Sequence, residues 1–473
     1  MFRKTGITIL SLFLLCLFLT GCTKEDKVSD DYVMQIKNIG LREGVFVRRY
    51  QLTGEYGNSE HFTPKMLQSY IKRVLEPNYL FIQHAYDLGM QNDHSTAQKI
   101  KDYKINLLAN NHPIKFEQLT ILKKDLRDLY ARKKIKYDID VIQTSSFSSA
   151  DSLYKLLQNG GELQHSKREF EQGFPQIRHF DALLYGEQLH PELFPLLENL
   201  NAGECSAPVY TGSMWSILKM NKKSVNRNLT LFENCEQELL AQAQALFKYI
   251  QQKELVENLS QKYHVSVQIE LYPLMVDAFQ PSAHGGRIVT EKIKQSDLTK
   301  VLIYIDNNDV SLSTFITSFN QASSFLRLAK LSENDLHQFV NDYIAQHVLY
   351  LDALEKGVHH NTLIKDKLEN KEHRILLTKY LKEELAQKIR LSEKEARAYY
   401  KKNRDKWQGQ YSDVASNIKS ELKGKKLQEK KEEIIEKLHK KYKVRYNEQL
   451  LKNIADQLTS LKQSAAGDKH NKR

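Results

Sequence analysis

The sequence predicts a mainly α-helical protein that carries one small α+β module, and three observations indicate this fold class. Long stretches repeat apolar residues every three to four positions, as amphipathic helices do. One internal stretch of about 90 residues opens with strict apolar–polar alternation, which is typical of a half-buried strand, and has the size of a small domain. The chain also matches itself, so one helical unit is expected to occur twice.

The register of this self-match locates an insert in the first copy. Tyr130 aligns with Tyr400 at an offset of 270 residues (400 − 130), and matches upstream of it keep an offset of 268 to 270. Tyr263 aligns with Tyr442 at an offset of only 179 (442 − 263). The first copy therefore carries 91 additional residues (270 − 179) between Tyr130 and Tyr263.

The repeat, together with the composition between its parts, divides the chain into seven segments. The segment from Pro281 to Gly286 reads as a linker, and the small, polar and basic end is expected to be disordered. The predicted segments are a signal peptide (1–21), a lipidated tether (22–31), a first helical unit (32–134 and 223–275), an inserted module (135–222), a linker (276–295), a second helical unit (296–452) and a C-terminal tail (453–473).

The N-terminus has the layout of a cleaved secretory signal. Arg3 and Lys4 precede an apolar run at 7–19, which ends in Leu-Thr-Gly-Cys at 19–22. The run is shorter than the roughly 20 residues of a membrane-spanning helix. Its end resembles the bacterial lipobox, and this resemblance implies that Cys22 is acylated and anchors the chain to a membrane. The expected location is the cell envelope, on the periplasmic face of the outer membrane if the cell has two membranes, because Thr23 follows Cys22.

The charge balance does not indicate a nucleic-acid-binding protein. The chain has 70 Lys and Arg against 58 Asp and Glu, a formal net charge of +12. These residues are mostly interleaved along predicted helices, which is typical of solvated helical faces. An exported lipoprotein does not ordinarily meet nucleic acid, whereas a basic surface that faces anionic lipid remains an open alternative.

Each copy is expected to open with a strand, continue with two helices and end with a long helix and a short strand. Thr63 and Pro64 start the first helix of copy one, Pro77 should kink it, and Gly89 ends it. Ser332 with Asp335 forms the start signal of the equivalent helix in copy two. The predicted elements are strands at 32–36 and 301–305, helices at 63–89 and 332–357, helices at 99–109 and 363–388, helices at 229–263 and 411–442, and strands at 265–267 and 444–446.

The insert has its own order of elements. Alternation over 134–143 predicts a strand, and helices are predicted at 149–157 and before Leu200. A turn, Gly-Glu-Cys-Ser-Ala-Pro-Val at 203–209, leads into a closing strand at 214–220. This order resembles a parvulin-type peptidyl-prolyl isomerase domain. The flanking helical copies are similar to the chaperone body of the SurA/PrsA/PpiD group, which implies two SurA-like helical chaperone units, the first interrupted by a parvulin-like domain.

The resemblance also implies where a proline-binding site would lie. Parvulins use two facing histidines and a Met/Phe pocket for the proline ring. The histidine positions fall on Val141 and Ser216, and the pocket positions on Leu189 and Leu193. Because both histidines are replaced, weak or absent isomerase activity is expected. His179 and His190 lie in the same module, but surface or loop histidines are the favoured interpretation.

No cofactor or metal site is expected from the sequence. It contains no Gly-rich phosphate loop, no Gly-x-Ser-x-Gly elbow and no paired-cysteine motif. His359 and His360 are adjacent, which is the wrong spacing for two ligands on one helix face. Cys205 and Cys235 either form a disulfide or remain separate thiols.

The favoured function is a lipid-anchored cell-envelope chaperone or foldase whose partners are unfolded or nascent exported polypeptides. Such binding needs exposed apolar and aromatic surface, which 24 Tyr and 19 Phe make feasible. Two alternatives remain: an active peptidyl-prolyl cis–trans isomerase that uses other residues, and a structural subunit of an envelope complex.

Overall fold

The computed structural model describes residues 28–115, 117, 119–161, 175–212, 214–281, 286–323 and 330–470. The predicted signal peptide, Cys22 and most of the tether lie outside these residues. The α-helices of the first half are α1 (Glu43–Gln51), α2 (Gly54–Asn58), α3 (Pro64–Tyr70), α4 (Glu76–Asp87), α5 (His94–Asn110), α6 (Lys123–Arg132), α7 (Phe147–Gln158), α8 (Phe194–Asn199) and α9 (Phe232–Lys262). Those of the second half are α10 (Tyr272–Asp277), α11 (Gln295–Leu298), α12 (Leu312–Ser323), α13 (Glu333–Glu355), α14 (Thr362–Tyr380), α15 (Glu393–Lys402), α16 (Tyr411–Lys441) and α17 (Glu448–His470).

The strands pair in antiparallel fashion in small sheets, and those outside the inserted module are short. They are β1 (Tyr32–Ile36), β2 (Ile39–Arg42), β3 (Ile135–Thr144), β4 (Gln176–Leu184), β5 (Val209–Tyr210), β6 (Trp215–Val225), β7 (Ser266–Val267), β8 (Phe279–Gln280), β9 (Arg287–Ile288), β10 (Val301–Tyr304), β11 (Val310–Ser311) and β12 (Val444–Tyr446). The prediction of a mainly helical chain with a small α+β module is confirmed. Among the described residues, no helix is both long and apolar enough to cross a membrane.

The chain divides into two compact units. The terminal unit comprises the residues up to Tyr103 and those from Thr362 onward, and the central unit comprises Lys104–Asn361. Each unit thus contains the first part of one copy and the last part of the other. This division differs from the prediction, which joined 32–134 with 223–275 and kept 296–452 as one unit.

The strand pairing shows how the halves are combined. In the terminal unit, Met34 of β1 pairs with Tyr446 of β12, and in the central unit Ile303 of β10 pairs with Val267 of β7. By the repeat offsets of 269 (303 − 34) and 179 (446 − 267), these are equivalent pairs. Each sheet is therefore completed by the final strand of the other copy. The two final strands offer the same backbone hydrogen bonds, so the sequence of a strand does not reveal which copy it joins.

The core of the terminal unit is built from helices that pack on the β1–β2 hairpin. Its largest buried side chains include Tyr50, Phe81 and Tyr380, and the rings of Phe81 and Tyr380 stack at 5.3 Å. Between α3 and α4 the helix widens into a π-turn at Ile71–Leu75, immediately before Pro77. The irregularity expected at Pro77 takes this form because proline has no N–H to continue the regular hydrogen-bond ladder.

Residues 276–295, predicted as a linker, belong largely to the core of the central unit. The described part forms the β8–β9 hairpin, in which Phe279 pairs with Ile288, and Ile288 and Ile293 are buried. Residues 282–285 lie outside the described residues. The Pro and Gly residues lie between two strands that pair with each other, and the apolar residues on either side place these strands against the core.

The predicted C-terminal tail at 453–473 begins too early. Helix α17 runs from Glu448 to His470, and Ile454, Ala455 and Leu458 are buried in the terminal unit. These residues recur at the spacing of a helical apolar stripe, so the first turns of the predicted tail contribute to packing.

The inserted module contains a four-stranded sheet of order β4-β3-β6-β5. Helix α7 packs on one face with Ile142 and Ile217, and α8 packs on the other face with Ile139 and Leu218. Strand β4 was not predicted as a strand, because most of its residues are exposed at the sheet edge and its sequence does not alternate.

Candidate functional site

The positions expected to line a proline slot lie on one face of the sheet but are not open to solvent. Val141 is 4% exposed, Leu193 is 1% exposed and Ser216 is fully buried. Leu189 is half-buried and packs against the same cluster. The structure therefore brings these four residues into one region, where they form a packed core rather than a slot.

Ser216 belongs to a satisfied hydrogen-bond network. Gln143 Nε2 donates to Ser216 Oγ at 3.1 Å, and Ser216 Oγ lies 3.1 Å from Thr211 Oγ1. Thr211 Oγ1 donates to the carbonyl oxygen of Met214 at 3.0 Å, so Ser216 supplies the proton between the two hydroxyls. Gln143 is directly opposite Ser216 in the sheet. Gln143 was not identified from the sequence. Its position two residues after Val141 places it on the same strand face, and this spacing could have indicated it.

Helices α6 and α9 contribute to the apolar cluster on this face of the module. Leu126 and Leu129 of α6, together with Leu239 and Ala243 of α9, belong to the same buried cluster as Val141. The flanking helices therefore share one apolar core with this face of the module.

The turn at 203–209 ties the end of the module to β6. Gly203 has a φ of +88°, which favours glycine, and its N–H donates to Met220 O at 2.7 Å. The N–H of Ser206 donates to Leu218 O at 2.8 Å, and Ser206 Oγ accepts from the N–H of Leu218 at 3.0 Å. These bonds account for the turn motif as a structural element of the module.

His179 and His190, the histidines of the module that the structure describes, form hydrogen bonds with groups other than Ser216. His179 is exposed on β4, and its Nδ1 is 2.9 Å from Asp140 Oδ1; this hydrogen bond raises the pKa of His179. Asp140 neighbours Val141 on β3 and therefore points to the opposite sheet face. Burial lowers the pKa of His190, whose Nδ1 accepts from the N–H of Glu192 at 3.3 Å. His190 acts as the cap of a short 3₁₀ turn.

The module is held on α13 through one buried carboxylate. Asp335 Oδ1 accepts from Trp215 Nε1 at 2.8 Å and from the N–H of Phe147 at 2.7 Å. Asp335 Oδ2 accepts from the N–H and the hydroxyl of Ser332, which forms the predicted capping box of α13. All four acceptor positions of this carboxylate are occupied. The module is therefore a fixed part of the central unit.

An open groove lies next to the filled slot, between α6, α9 and the segment that precedes α8. Its volume is about 560 Å³. The apolar part of its lining consists of Leu129, Tyr185, Pro191, Pro195, Leu246, Phe247, Tyr249 and Ile250. The charged part consists of Asp125, Asp128, Arg132, Glu192, Lys253, Glu254 and Glu257. We call this cavity the α6–α9 groove.

Sequence reasoning did not find the α6–α9 groove. Its residues come from three segments, 125–132, 185–195 and 246–257, and in each one the apolar spacing indicates only a packed helix or turn. The structure also resolves the alternatives left open for the two cysteines, because Cys205 and Cys235 are both free thiols. Burial raises the pKa of the Cys205 thiol.

Comparisons with known proteins identify chaperones at low similarity. No family model matches the sequence. No curated protein matches it either. PrsA from Bacillus subtilis is 13% identical with a TM-score of 0.16, and the match covers 44% of this chain and 73% of that chain.

Two further solved structures are similar to parts of this chain at the same low level. The foldase protein PrsA from Streptococcus pneumoniae is 10% identical with a TM-score of 0.20, and the match covers 45% of this chain and 85% of that chain. A structure reported for the SurA-like chaperones PEB4 and Cj1289 of Campylobacter jejuni is 12% identical with a TM-score of 0.17, and the match covers 55% and 93%. These proteins are from the group that the sequence resembles. TM-scores this low carry no argument about the fold or function of this chain.

Proposed function

We propose that this protein is a lipid-anchored cell-envelope chaperone that binds unfolded exported polypeptides, and that its parvulin-like module has little or no prolyl isomerase activity. The observation that carries the proposal is the α6–α9 groove, an open cavity with an apolar floor in the central unit. Unfolded segments expose apolar side chains, and a shallow groove of several hundred cubic ångströms can receive a few of them.

The filled slot supports the second half of the proposal. Rotation about an X–Pro bond crosses a barrier of roughly 18–20 kcal/mol, so a catalyst must enclose the ring and stabilise the twisted amide. Here Val141 and Leu193 are core residues, and the hydroxyl of Ser216 is already engaged by Thr211 and Gln143. No group at these positions is available to a substrate amide.

The anchor at Cys22 and the envelope location rest on the lipobox-like sequence. In this proposal the acyl chains hold the protein at a membrane surface in the cell envelope, the compartment into which its clients are exported. Two units that share strands from both copies then form the folded body, and the central unit presents the groove.

The test is suppression of aggregation of an unfolded outer-membrane protein by the soluble form that lacks residues 1–22. We expect suppression at substoichiometric to equimolar ratios, and weaker suppression by Ile250→Ser, because Ile250 is 39% exposed in the groove lining. Leu240→Ser is the matched control, since Leu240 is 36% exposed on the same helix but does not line the groove. Equal aggregation with and without the protein would contradict the proposal.

The same preparation is assayed for prolyl isomerisation by NMR exchange on a proline-containing peptide. We expect the uncatalysed exchange time of tens of seconds to remain unchanged. Acceleration that disappears in Ser216→Ala or Leu189→Ala would show that the module is an active isomerase and would overturn this part of the proposal.

A further inference from the structure

Negatively charged residues outnumber positively charged residues around the α6–α9 groove. Five carboxylates line it, against two cations. Lys253 Nζ pairs with Glu192 Oε1 at 2.9 Å, and Arg132 Nε lies 3.5 Å from Glu198 Oε1, so both cations already face a carboxylate. The rim therefore carries an excess of negative charge.

Three of the five carboxylates are free to act on a ligand. Asp125 caps α6 by accepting from the N–H of Leu122 at 3.0 Å. Asp128, Glu254 and Glu257 are exposed, and none of them forms an ion pair with any residue that the structure describes. Glu254 and Glu257 are three residues apart on α9, so they share one helix face.

The apolar floor lies beside these charges. Phe247 is half-buried, and Ile250 is one of the more exposed large apolar residues of the chain. On α9, Phe247, Ile250, Glu254 and Glu257 follow one another at helical spacings of three to four residues, so the apolar and acidic positions form one continuous strip. A ligand that covers Phe247 and Ile250 therefore places its neighbouring residues next to Glu254 and Glu257.

We propose that the α6–α9 groove selects extended polypeptide segments in which an apolar side chain is flanked by Lys or Arg. The apolar side chain covers Ile250 and Phe247, and the flanking cations lie against Asp128, Glu254 and Glu257. Acidic segments are disfavoured because like charges would meet at the rim. This inference rests on the proposed function and names the class of client segment that the groove accepts.

The size of the charge effect can be bounded. Exposed ion pairs contribute little each, so two rim carboxylates account for a change in affinity of about threefold to tenfold. The contribution should fall as salt rises, because the Debye length shortens from about 10 Å at 0.1 M to 3 Å at 1 M. The apolar contribution is not reduced by salt in this way.

The experiment measures fluorescence anisotropy of two labelled peptides with the soluble form that lacks residues 1–22. The peptides share one apolar core and differ only in flanking Lys or Glu residues. We expect the Lys-flanked peptide to bind more tightly at 50 mM salt, and the difference to shrink at 1 M salt. The double variant Glu254→Gln/Glu257→Gln should lose about threefold to tenfold in affinity for the Lys-flanked peptide only.

Charge reversal gives the sharper result. Glu254→Lys/Glu257→Lys should transfer the preference to the Glu-flanked peptide. The control is Glu429→Lys/Glu432→Lys, which changes the net charge equally at the same spacing, on exposed positions of the other 31-residue helix, α16. Circular dichroism of each variant checks that the helices remain formed.

Several outcomes would overturn the inference. If Glu254→Lys/Glu257→Lys and its control Glu429→Lys/Glu432→Lys shift the charge preference equally, the preference comes from net charge alone. If peptides bind only after residues 465–473 are removed, the groove is occupied by the chain's own basic end. If they bind only after dilution, the groove is occupied by a second copy of the chain. If aggregation suppression persists while the two peptides bind equally, the chaperone proposal stands and the groove inference fails. If suppression is absent but the preference reverses as expected, the chaperone proposal fails and the groove inference stands.

Discussion

At the scale of single residues, the least predictable feature is a buried hydrogen bond between His112 and Asp352 in the central unit. His112 is fully buried, and its Nε2 lies 2.6 Å from Asp352 Oδ2. Its Nδ1 accepts from the N–H of Ile114, so Nε2 carries the proton given to Asp352. Lys356 Nζ also lies 2.7 Å from Asp352 Oδ2. Asp352 and His112 are 240 positions apart, so no local pattern links them.

We predict that Asp352→Asn destabilises the central unit at neutral pH by about 2 kcal/mol, because it replaces the charged hydrogen-bond acceptor of His112 and Lys356 by a neutral one. Burial by itself raises the pKa of Asp352, but hydrogen bonds from Lys356 and His112 outweigh it and hold the pKa below its usual 3.8. A depressed carboxyl pKa stabilises the fold above the unfolded-state pKa, and this contribution is lost as pH falls through the folded-state value. The difference between wild type and variant should therefore shrink below about pH 4.

Urea unfolding followed by tryptophan fluorescence measures this difference. The chain has two tryptophans, so a Trp407→Phe background leaves Trp215 as the reporter of the central unit. Asp151→Asn is the control, because Asp151 likewise pairs with a lysine four residues later but is more exposed. It should change the free energy of unfolding by no more than about 0.5 kcal/mol. An Asp352→Asn effect that is equal at pH 7 and pH 3 would contradict the charge argument.

At the scale of elements, the two copies share backbone conformations that their sequences only partly reveal. Gly89 and Gly357 end equivalent helices with φ values of +71° and +70°. Lys37 and Asp306 turn equivalent hairpins with φ values of +47° and +43°, although neither is glycine. The helix-ending glycines were visible in the sequence, whereas the left-handed conformation of Lys37 was not, because Lys carries no turn signal.

The exchange of final strands predicts a specific pattern of cross-links. Gln35 pairs with Arg445, and Tyr304 pairs with Ser266. Paired residues on antiparallel strands have Cα atoms about 4.5–5.5 Å apart, which is within reach of a disulfide. In a background of Cys205→Ser and Cys235→Ser that lacks residues 1–22, we expect Gln35→Cys/Arg445→Cys and Tyr304→Cys/Ser266→Cys to cross-link under mild oxidation.

The matched controls recombine the same four substitutions. Gln35→Cys/Ser266→Cys and Tyr304→Cys/Arg445→Cys are the pairs that would meet if each copy formed its own sheet. We expect no intramolecular disulfide in either, as measured by peptide mapping with and without reductant. Cross-linking of the control pairs in place of the first two would show that the copies are not exchanged.

At the scale of the whole molecule, the proposed location of the protein rests on the sequence of its N-terminal segment. The sequence at 19–22 predicts acylation of Cys22, and more than one acyl chain is needed for stable attachment to a bilayer. The position of the groove in the central unit places the proposed client site far along the chain from this anchor.

We predict that Cys22→Ser releases the protein from membranes into the soluble envelope fraction. The substituted residue cannot carry the thioether-linked lipid, so the hydrophobic attachment is lost. Cell fractionation checks the distribution, and mass spectrometry of the mature N-terminus checks the acylation. Retention of Cys22→Ser in the membrane fraction after a high-salt wash would contradict the anchor, whereas release by salt alone would indicate an electrostatic attachment.

The sequence by itself determined the helical character, the duplication and the presence of the inserted module. Those features follow from local spacing and from self-similarity, which need no knowledge of the fold. It also located Val141, Leu189, Leu193 and Ser216 within one module. It did not reveal β4, the hairpin within 276–295, or the buried start of α17, because edge strands and short packed segments lack strong periodicity.

Only the tertiary structure decided which strand completes which sheet and which apolar faces stay open. The final strands of the two copies are equivalent partners for either sheet, so the path of the chain selects between them. Likewise, Val141 and Leu193 are buried in one core with side chains of α6 and α9, whereas Ile250 stays accessible beside Glu254 and Glu257. The sequence shows which side chains are apolar. Only the packing of elements that are distant in the sequence determines whether such a side chain is buried or free to bind.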